Sequence, residues 1–597
     1  MRIKLLFIVC LLSSSIIAQE VISELSSNPI LINENWESNT SKSVLDLPFV
    51  DDFSYDSPVV NNDLWEQSSV FVNRTYPINP PTIGVATFDG LDEYGLARDF
   101  SQLNPSEPSD TLLSQEIDLS LIDSAYFLFF YQPKGIGDKP QIGDSLILEF
   151  KNMNSDWDMV WYNICDTIIS EFTKEVIILK SSDYLTSFFQ FRFRNYATIS
   201  GNFDHWNIDY VKLDEFQNSS DTSTLNDVSF VYNSSSFLKR YFEMPWTHFM
   251  NNESSELKDS IDILIRNNNA SINVDYQYNV FENGNLLETF PSIGTGWRNY
   301  TIYDYDSIGN FSHNPSIFID DGVFTSFQVD SATFVVQNVI ATSLSDNKEN
   351  DTLYHVQNFY NHFSYDDGTA EQAYGINIDG AKLAYEFKLN RPDTLRAVQM
   401  YFPQMLSSVS NIPFELTIWN DNNGQPGDTL YTQTVIPVHT ENGKYHSYYI
   451  DQPFRIVGTF YVGWEQITDD LLNIGLDKNN ESNSYMFFNV GSSWNNSSFP
   501  GSWMIRPVLS RNQIISSVAE IKTSFKIYPN PSSEIIIIES QNDRSQISIF
   551  NMQGVLVKQQ MTSDVITKVN VSDLSSSVYF VEVANENGKQ YQKIIVK

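Results

Sequence analysis

The chain is poor in cysteine, in basic residues and in long apolar runs, and each shortage excludes something. Only two of its 597 residues are cysteine, Cys10 and Cys165. Cys10 lies in a segment that reads as a removable leader, so the mature chain has no partner for a disulfide and no cysteine-based zinc site. Cys165, alone in a strand-rich region, reads as a small buried apolar residue rather than a nucleophile. No stretch after the leader approaches the ~18 consecutive apolar residues of a membrane-spanning helix. Lys and Arg total 36 against 74 Asp and Glu, for a net charge of −38. Such acidity repels polyanions and sets nucleic acid aside as a partner.

Catalytic motifs are missing as well. There is no His-Glu-x-x-His, no Gly-x-Ser-x-Gly, no phosphate loop and no dinucleotide-binding glycine pattern. The seven His are scattered. The pairs His355/His362 and His439/His446 stand seven apart, which on a strand points them to opposite faces and argues against a metal pair. Carboxylates abound, however, and a glycosidase needs only two at the right separation.

Strand signals fill what remains. The chain has 31 Tyr and 41 Phe, many turn residues and no long 3.6-residue periodicity. These features predict an all-β protein of three to five domains, arranged as tandem β-sandwiches. Residues 1–18 open with Arg2 and Lys4, continue with an apolar run from Leu5 to Leu12 and end in small residues. That is the pattern of a secretory signal peptide cut after Ala18. Residues 19–45 form a lead. Residues 46–216 predict a jelly-roll sandwich, in which Phe189, Phe191 and Phe193 share one face and Gln190, Arg192 and Arg194 the other. An Asn/Ser/Asp/Thr-rich linker occupies 217–227. Residues 228–348 predict an Ig- or fibronectin-like domain. Within it Ile272, Val274, Tyr276, Tyr278 and Val280 alternate into a hairpin turn at Asn283-Gly284. Residues 351–515 predict a second jelly-roll-like sandwich. Charge separates the tail from the body. Residues 20–520 carry 26 basic and 67 acidic residues, whereas the last 77 carry 8 and 7.

The tail holds the most specific signal. It reads Phe525-Lys-Ile-Tyr-Pro-Asn-Pro531, then Glu534-Ile-Ile-Ile-Ile-Glu-Ser540, Ile547-Ser-Ile-Phe-Asn-Met-Gln-Gly554 and Val578-Tyr-Phe-Val-Glu-Val583, and it ends at Lys597. Pro529 and Pro531 fix φ and remove two backbone donors, and short Ile/Val-rich runs follow as strands of a small Ig-like sandwich. Residues 524–597 resemble the type A C-terminal sorting domain of the Bacteroidetes type IX secretion system. The resemblance rests on Tyr528, Pro529, Asn530, Pro531, Gly554, Tyr579 and Lys597. It implies export through the periplasm and outer membrane by that machinery, to the cell surface or the medium. Ser577 departs from the family, which usually has Gly before the Val/Tyr pair.

The first sandwich resembles MAM-like jelly-roll domains of the choice-of-anchor J type. The likeness lies in Pro48-Phe-Val-Asp-Asp-Phe53, Thr111 to Leu119 and the closing Asp-x-Trp-x-Ile-Asp-x-Val of Asp204 to Val211. It implies a noncatalytic accessory module of the kind found beside secreted hydrolases or in adhesins. It also places the first and last strands together, so that Asp51, Asp52 and Asp209 are candidates to share a calcium ion. The alternative is a solvated edge with an Asp-capped turn, since calcium takes six to eight oxygens. A recurring Asp–Ser/Thr–aliphatic triplet resembles the O-glycosylation acceptor of exported Bacteroidetes proteins, with Thr111, Ser145, Thr394 and Thr429 as acceptors. Turn-to-strand chemistry alone also accounts for the triplet. The expected function is noncatalytic adhesion, or binding of an extracellular glycan or protein. A secreted hydrolase and a structural envelope component are the alternatives.

Overall fold

A computed structural model describes residues 20–32, 44–101, 106–165, 171–222, 225–259, 261–268, 272–290, 298–300, 309–313, 331–342, 347–405, 412–440, 443–509, 525–540, 545–551, 556–562, 564–585 and 588–597. The leader 1–18, the sorting-motif residue Gly554 and the composition break at 518–523 lie outside the described residues. The chain divides into two compact units, residues 1–512 and 513–597. Both are built from antiparallel sheets, and the protein is an all-β assembly of sandwiches.

The first sandwich follows a short strand β1 (Val21–Ser23). Its strands are β2 (Phe49–Asp51), β3 (Trp65–Ser68), β4 (Phe71–Asn73), β5 (Val85–Phe88), β6 (Ser106–Ser114) and β7 (Ala125–Pro133). They continue with β8 (Ser145–Lys151), β9 (Trp157–Ile164), β10 (Thr173–Leu179), β11 (Phe191–Thr198) and β12 (Trp206–Glu215). One sheet runs β10-β7-β12-β5-β4 with β2 on β12, and the other runs β3-β6-β11-β8-β9. Between them Phe127, Phe129, Phe189, Phe191, Phe193 and Trp206 are fully buried. Strand β7 is buried along its whole length, because Tyr126, Leu128 and Phe130 enter a second cluster on its far side. That double burial explains why Ala125 to Tyr131 reads as an unbroken apolar run rather than an alternation.

In the middle segment Ile272–Glu282 and Asn285–Phe290 form the expected hairpin, and Asn283 and Gly284 both take positive φ, 51° and 78°. A two-residue turn of that kind matches strand twist. Ala332–Thr342 pairs with Ile272–Glu282 on one side and with Thr352–Phe359 on the other. This corrects the boundary expected between 348 and 351. Thr352–Phe359 completes the middle sheet, in register from Ala332↔Phe359 to Val339↔Thr352, instead of opening the next domain.

The third sandwich contains a six-stranded sheet that includes Phe414–Asp421, Thr459–Gln466 and Lys382–Lys388. It also contains a three-stranded sheet centred on Asp393–Met400 and a four-stranded sheet in which β1 is an edge strand. Val21 pairs with Gly375 and Ser23 with Ala373, so the supposed lead is part of this sandwich. One continuous apolar core runs from Val228 through Trp246, Tyr276 and Phe359 to Trp464 and Leu509. Trp246 packs on Phe249 and Phe359, and the middle segment and third sandwich are thus joined by a shared interior. A buried polar knot adds to the join. Arg506 donates to Asp366, Tyr445 bonds the same carboxylate, and Glu243 lies 2.9 Å from His362 Nε2.

Candidate functional site

In the C-terminal unit, Phe525–Tyr528, Ile535–Ser540 and Ile566–Asn570 form one sheet. Leu556–Thr562, Ser545–Phe550, Ser577–Asn585 and Gly588–Val596 form the other. Phe525, Ile536, Ile549, Val581 and Ile594 fill the space between them. The Tyr-Pro-Asn-Pro segment clasps the last strand. The Asn530 amide donates to Lys593 O at 3.0 Å, and its oxygen accepts from Ile595 N–H at 2.8 Å. The Lys597 N–H then donates to Ser532 O at 2.9 Å. Pro529, Pro531, Glu534 and Lys597 line one depression of 340 Å³. Tyr528 is exposed beside it, whereas Tyr579 is buried and donates to Ser575 O at 2.9 Å. The structure thus brings Asn530, Pro531 and Lys597 together and keeps Tyr579 for the core. Ser577 lies in extended backbone opposite Val596, where no glycine is required.

The body presents a cleft of 1040 Å³ where the first sandwich, the middle segment and the third sandwich meet. Arg74, Thr75, Ile78 and Ile136 form one wall, Tyr232 to Ser235 and Tyr354 a second, and Asp367, Thr369 and Lys478 to Asn480 a third. Local hydrogen bonding fixes each wall. Arg74 donates to Ser54 O at 2.6 Å. The Tyr232 hydroxyl accepts from Asn79 N–H at 2.6 Å. Asn479 and Asn480 project from a turn whose N–H groups donate to the buried Asp477 carboxylate, at 2.7 and 3.2 Å.

Tyr354 is 62% exposed and ends a row across four strands. Thr289 donates to Asn279 at 2.9 Å, Asn279 to Gln337 at 2.9 Å, and Gln337 to the Tyr354 hydroxyl at 3.0 Å. The register places these four side chains directly opposite one another. His355 is buried edge-on to Phe237 and Phe242, and burial pulls it down to about 4, so it is neutral at physiological pH.

Buried acids lie under the third wall. The Thr369 hydroxyl is 2.7 Å from Asp367 Oδ1 and 3.2 Å from Glu371 Oε1. Burial, reinforced by Asp367, pushes Glu371 up to about 8, and burial also raises Asp367 and Asp477. A hydroxyl has one proton, so Thr369 donates to only one of the two carboxyls at a time, and Asp367 is the nearer. Asp367 faces the cleft, but Glu371 lines a separate pocket of 170 Å³. The two carboxyls therefore stand one behind the other instead of facing across a substrate path.

The strand pairing expected to unite the candidate calcium ligands is present, with Asp51 opposite Val211 on β12. The carboxylates themselves accept from protein donors. Asp51 accepts from Trp65 Nε1 at 2.6 Å, Asp52 from Asn347 and Asn350 at 2.7 and 2.9 Å, and Asp209 from Thr82 N–H and Oγ1 at 3.0 and 2.9 Å. Burial raises Asp51 to about 7 and Asp209 well above the carboxylate range. Among the described residues no group of three His, Cys, Asp or Glu side chains is set to hold a metal ion.

Of the candidate glycan acceptors, Thr429 is exposed, Thr111 and Thr394 are half-buried, and Ser145 is only 8% exposed. The Asp residues that precede Thr111 and Ser145 are structural. Asp110 accepts from Gly90 N–H at 2.9 Å and Asp144 from Gln141 N–H at 2.6 Å. Sequence reading missed the cleft, because its three walls come from segments hundreds of residues apart.

The tail decides the class of the protein: residues 526–597 match the family described as secretion system C-terminal sorting domain. The chain is thus an exported cargo of the type IX secretion system, destined for the cell surface or the medium. No match is found among curated proteins. Among solved structures it is similar to PorZ, a surface component of the type IX secretion system of Porphyromonas gingivalis, at 17% identity and a TM-score of 0.12. That match covers 22% of this chain and 17% of PorZ. The Endo-D glycoside hydrolase domain of Streptococcus pneumoniae aligns at 11% identity and a TM-score of 0.18, over 50% of this chain and 37% of that one. The tandem CBM22 domains of Paenibacillus barcinonensis Xyn10C align at 7% identity and a TM-score of 0.18, over 73% and 98%. The chain spans well under half the length of the first two, and likenesses this low carry no functional argument.

Proposed function

We propose that the exported body is a noncatalytic binding protein that takes an extracellular glycan in the cleft between its sandwiches. The observation that carries this reading is the cleft wall itself. Tyr232 and Tyr354 supply flat apolar faces, and Asn233, Asn479, Asn480, Arg74 and Lys478 supply convergent polar groups. Recognition sites combine apolar area with a few placed donors and acceptors in this way, and they favour the junctions between domains. The MAM-like resemblance of residues 46–216 supports the same noncatalytic role. The hydrolase alternative has one observation in its favour, the Asp367–Thr369–Glu371 relay. It is the weaker reading, because a glycosidase needs both carboxyls to flank the scissile bond.

A glycan-array screen of the full mature chain tests the proposal. Selective retention of defined glycans, lost in Tyr354→Ala and undiminished in Glu371→Gln, is the expected result. Cleavage of a bound glycan, abolished by Glu371→Gln, establishes the hydrolase instead. Retention that ignores Tyr354→Ala and every other cleft substitution overturns the cleft as the site.

A further inference from the structure

The outer face of the β3-β6-β11-β8-β9 sheet is open and built unlike the rest of this acidic chain. Its centre is Glu149 on β8, gripped from β11 by two guanidinium groups. Arg192 Nε donates to Glu149 Oε2 at 2.5 Å. Arg194 donates through Nε at 2.9 Å and through Nη2 to Oε1 at 2.8 Å. Trp157 on edge strand β9 stacks over Arg192, with the guanidinium carbon 4.2 Å from the ring centroid. Glu149 is only 8% exposed, and although burial raises it, the two arginines outweigh burial and hold it below its ordinary value.

The geometry gives one carboxylate to two cations. The carboxylate and the indole hold both guanidinium planes fixed, which removes most of the entropy that a free arginine loses on binding. The contacts to Glu149 occupy only Nε of Arg192 and Nε and Nη2 of Arg194. Two guanidinium groups on one carboxylate leave the clamp with a net positive charge, and each arginine side chain keeps about a quarter of its surface exposed, 24% and 25%. On the side away from Trp157, strand pairing sets Tyr162 in the row of Arg194, across Ile147, and Tyr196 one row beyond. Tyr162 is 58% exposed, and Tyr196 is half-buried. Rows on one sheet face lie about 7 Å apart and strands about 4.8 Å, so aromatic faces and charged donors alternate over a flat area several sugar rings wide.

We infer that this face is a second binding site, separate from the cleft, for a polysaccharide that carries an anionic group on its sugar rings. The fixed guanidinium edge takes the carboxylate or sulfate in paired hydrogen bonds, and Trp157, Tyr162 and Tyr196 stack on the rings. Charge complementarity selects this occupant, because the clamp sets two guanidinium groups against one carboxylate, beside a Lys151 that is already paired with Glu116, on a chain of net charge −38. The same net charge repels a polyanion at long range. At 0.15 M ionic strength that repulsion is screened beyond about 8 Å while the contact pair is not. Thr111 stands opposite Arg194 in register, so a glycan attached there competes for the same face. The inference stands independently of the cleft.

The test uses the full mature chain at 0.15 M salt, with polygalacturonate, dextran sulfate, neutral dextran and poly-glutamate as probes in biolayer interferometry. At least one anionic polysaccharide binds tenfold or more tightly than neutral dextran, and the tighter of the two identifies uronate or sulfate as the group read. Arg194→Gln and Trp157→Ala each lose at least tenfold, Arg194→Lys recovers part of the loss, and Tyr354→Ala in the cleft changes nothing. Tm measured alongside shows that the variants are folded. Equal binding of neutral and anionic polysaccharides overturns the inference. So does poly-glutamate binding as tightly as the sugars, or affinity unchanged in folded Arg194→Gln.

Discussion

Asn530 and Ile595 are joined as two strands would be, with the side-chain oxygen of the first accepting the backbone N–H of the second at 2.8 Å. The carboxamide stands in for the peptide group that the flanking prolines cannot supply. This explains why an Asn sits between two prolines at the entry to the sorting unit, and why the chain's last strand has no unpaired stretch there. Asn530→Ala removes two exposed hydrogen bonds, at about 0.5–1.5 kcal/mol each. It loosens the terminal strand without unfolding the sandwich. The expected outcome is full-length protein accumulating in the periplasm of the native host, measured by fractionation, with removal of residues 524–597 giving complete retention. Normal extracellular levels of the truncated chain would contradict the sorting role.

The buried acids predict the pH dependence. Glu371 is raised to about 8 by burial and by Asp367, against an ordinary value of 4.5. A raised folded-state value means that its contribution to stability is complete below pH 4.5. That contribution is lost as pH rises through 8, because the folded state must then bury a charge that the unfolded chain leaves in water. Asp367 and Asp477 act in the same sense. Glu371→Gln keeps the shape and abolishes the titration. Its unfolding free energy should fall less than that of the wild type between pH 4.5 and 8, by on the order of a few kcal/mol. Parallel curves for the two proteins would show that Glu371 is not the titrating group.

Glu243 runs the other way. Burial raises it, but His362 and Arg506 outweigh burial and hold it down to about 2. Its contribution is present above 4.5 and disappears as pH falls toward 2. Arg506 serves two buried carboxylates, at the fringe of Glu243 and in contact with Asp366. Arg506→Met leaves Asp366 without its cation and should cost about 3–5 kcal/mol in chemical denaturation. A loss below about 1 kcal/mol would mean that the knot contributes little to joining the middle segment to the third sandwich.

Thr82 decides between the two roles of Asp209. With Thr82 donating twice, Thr82→Val strips one donor from the buried Asp209 carboxyl and should cost about 1–3 kcal/mol. Chelator and millimolar calcium should give the same Tm for the wild type. A rise of several degrees with calcium would return Asp51, Asp52 and Asp209 to the role of metal ligands.

Local pattern carried much of this fold. Alternation placed Phe189, Phe191 and Phe193 inside and Arg192 and Arg194 outside, and Asn283-Gly284 marked its hairpin, because strand faces and tight turns are set by neighbours in sequence. The sorting unit was legible for the same reason. Relations of long range were not. Val21 pairs with Gly375, and Thr352–Phe359 belongs to the sheet before it. No local propensity distinguishes a strand that stays from one that crosses. The clamp of Arg192 and Arg194 on Glu149 needs the register of β8 against β11, and the cleft needs three separate segments to meet.

The central claim is that the cleft of the exported body holds a glycan, and hydrogen exchange on the full mature chain tests it most directly. With a glycan selected on the array at saturation, amide exchange should slow in three separate segments: Tyr232–Ser235, Thr352–Val356 and Lys478–Asn480. All three line the cleft. Protection of all three together is the predicted result. Bound glycan that leaves all three unprotected would contradict the account.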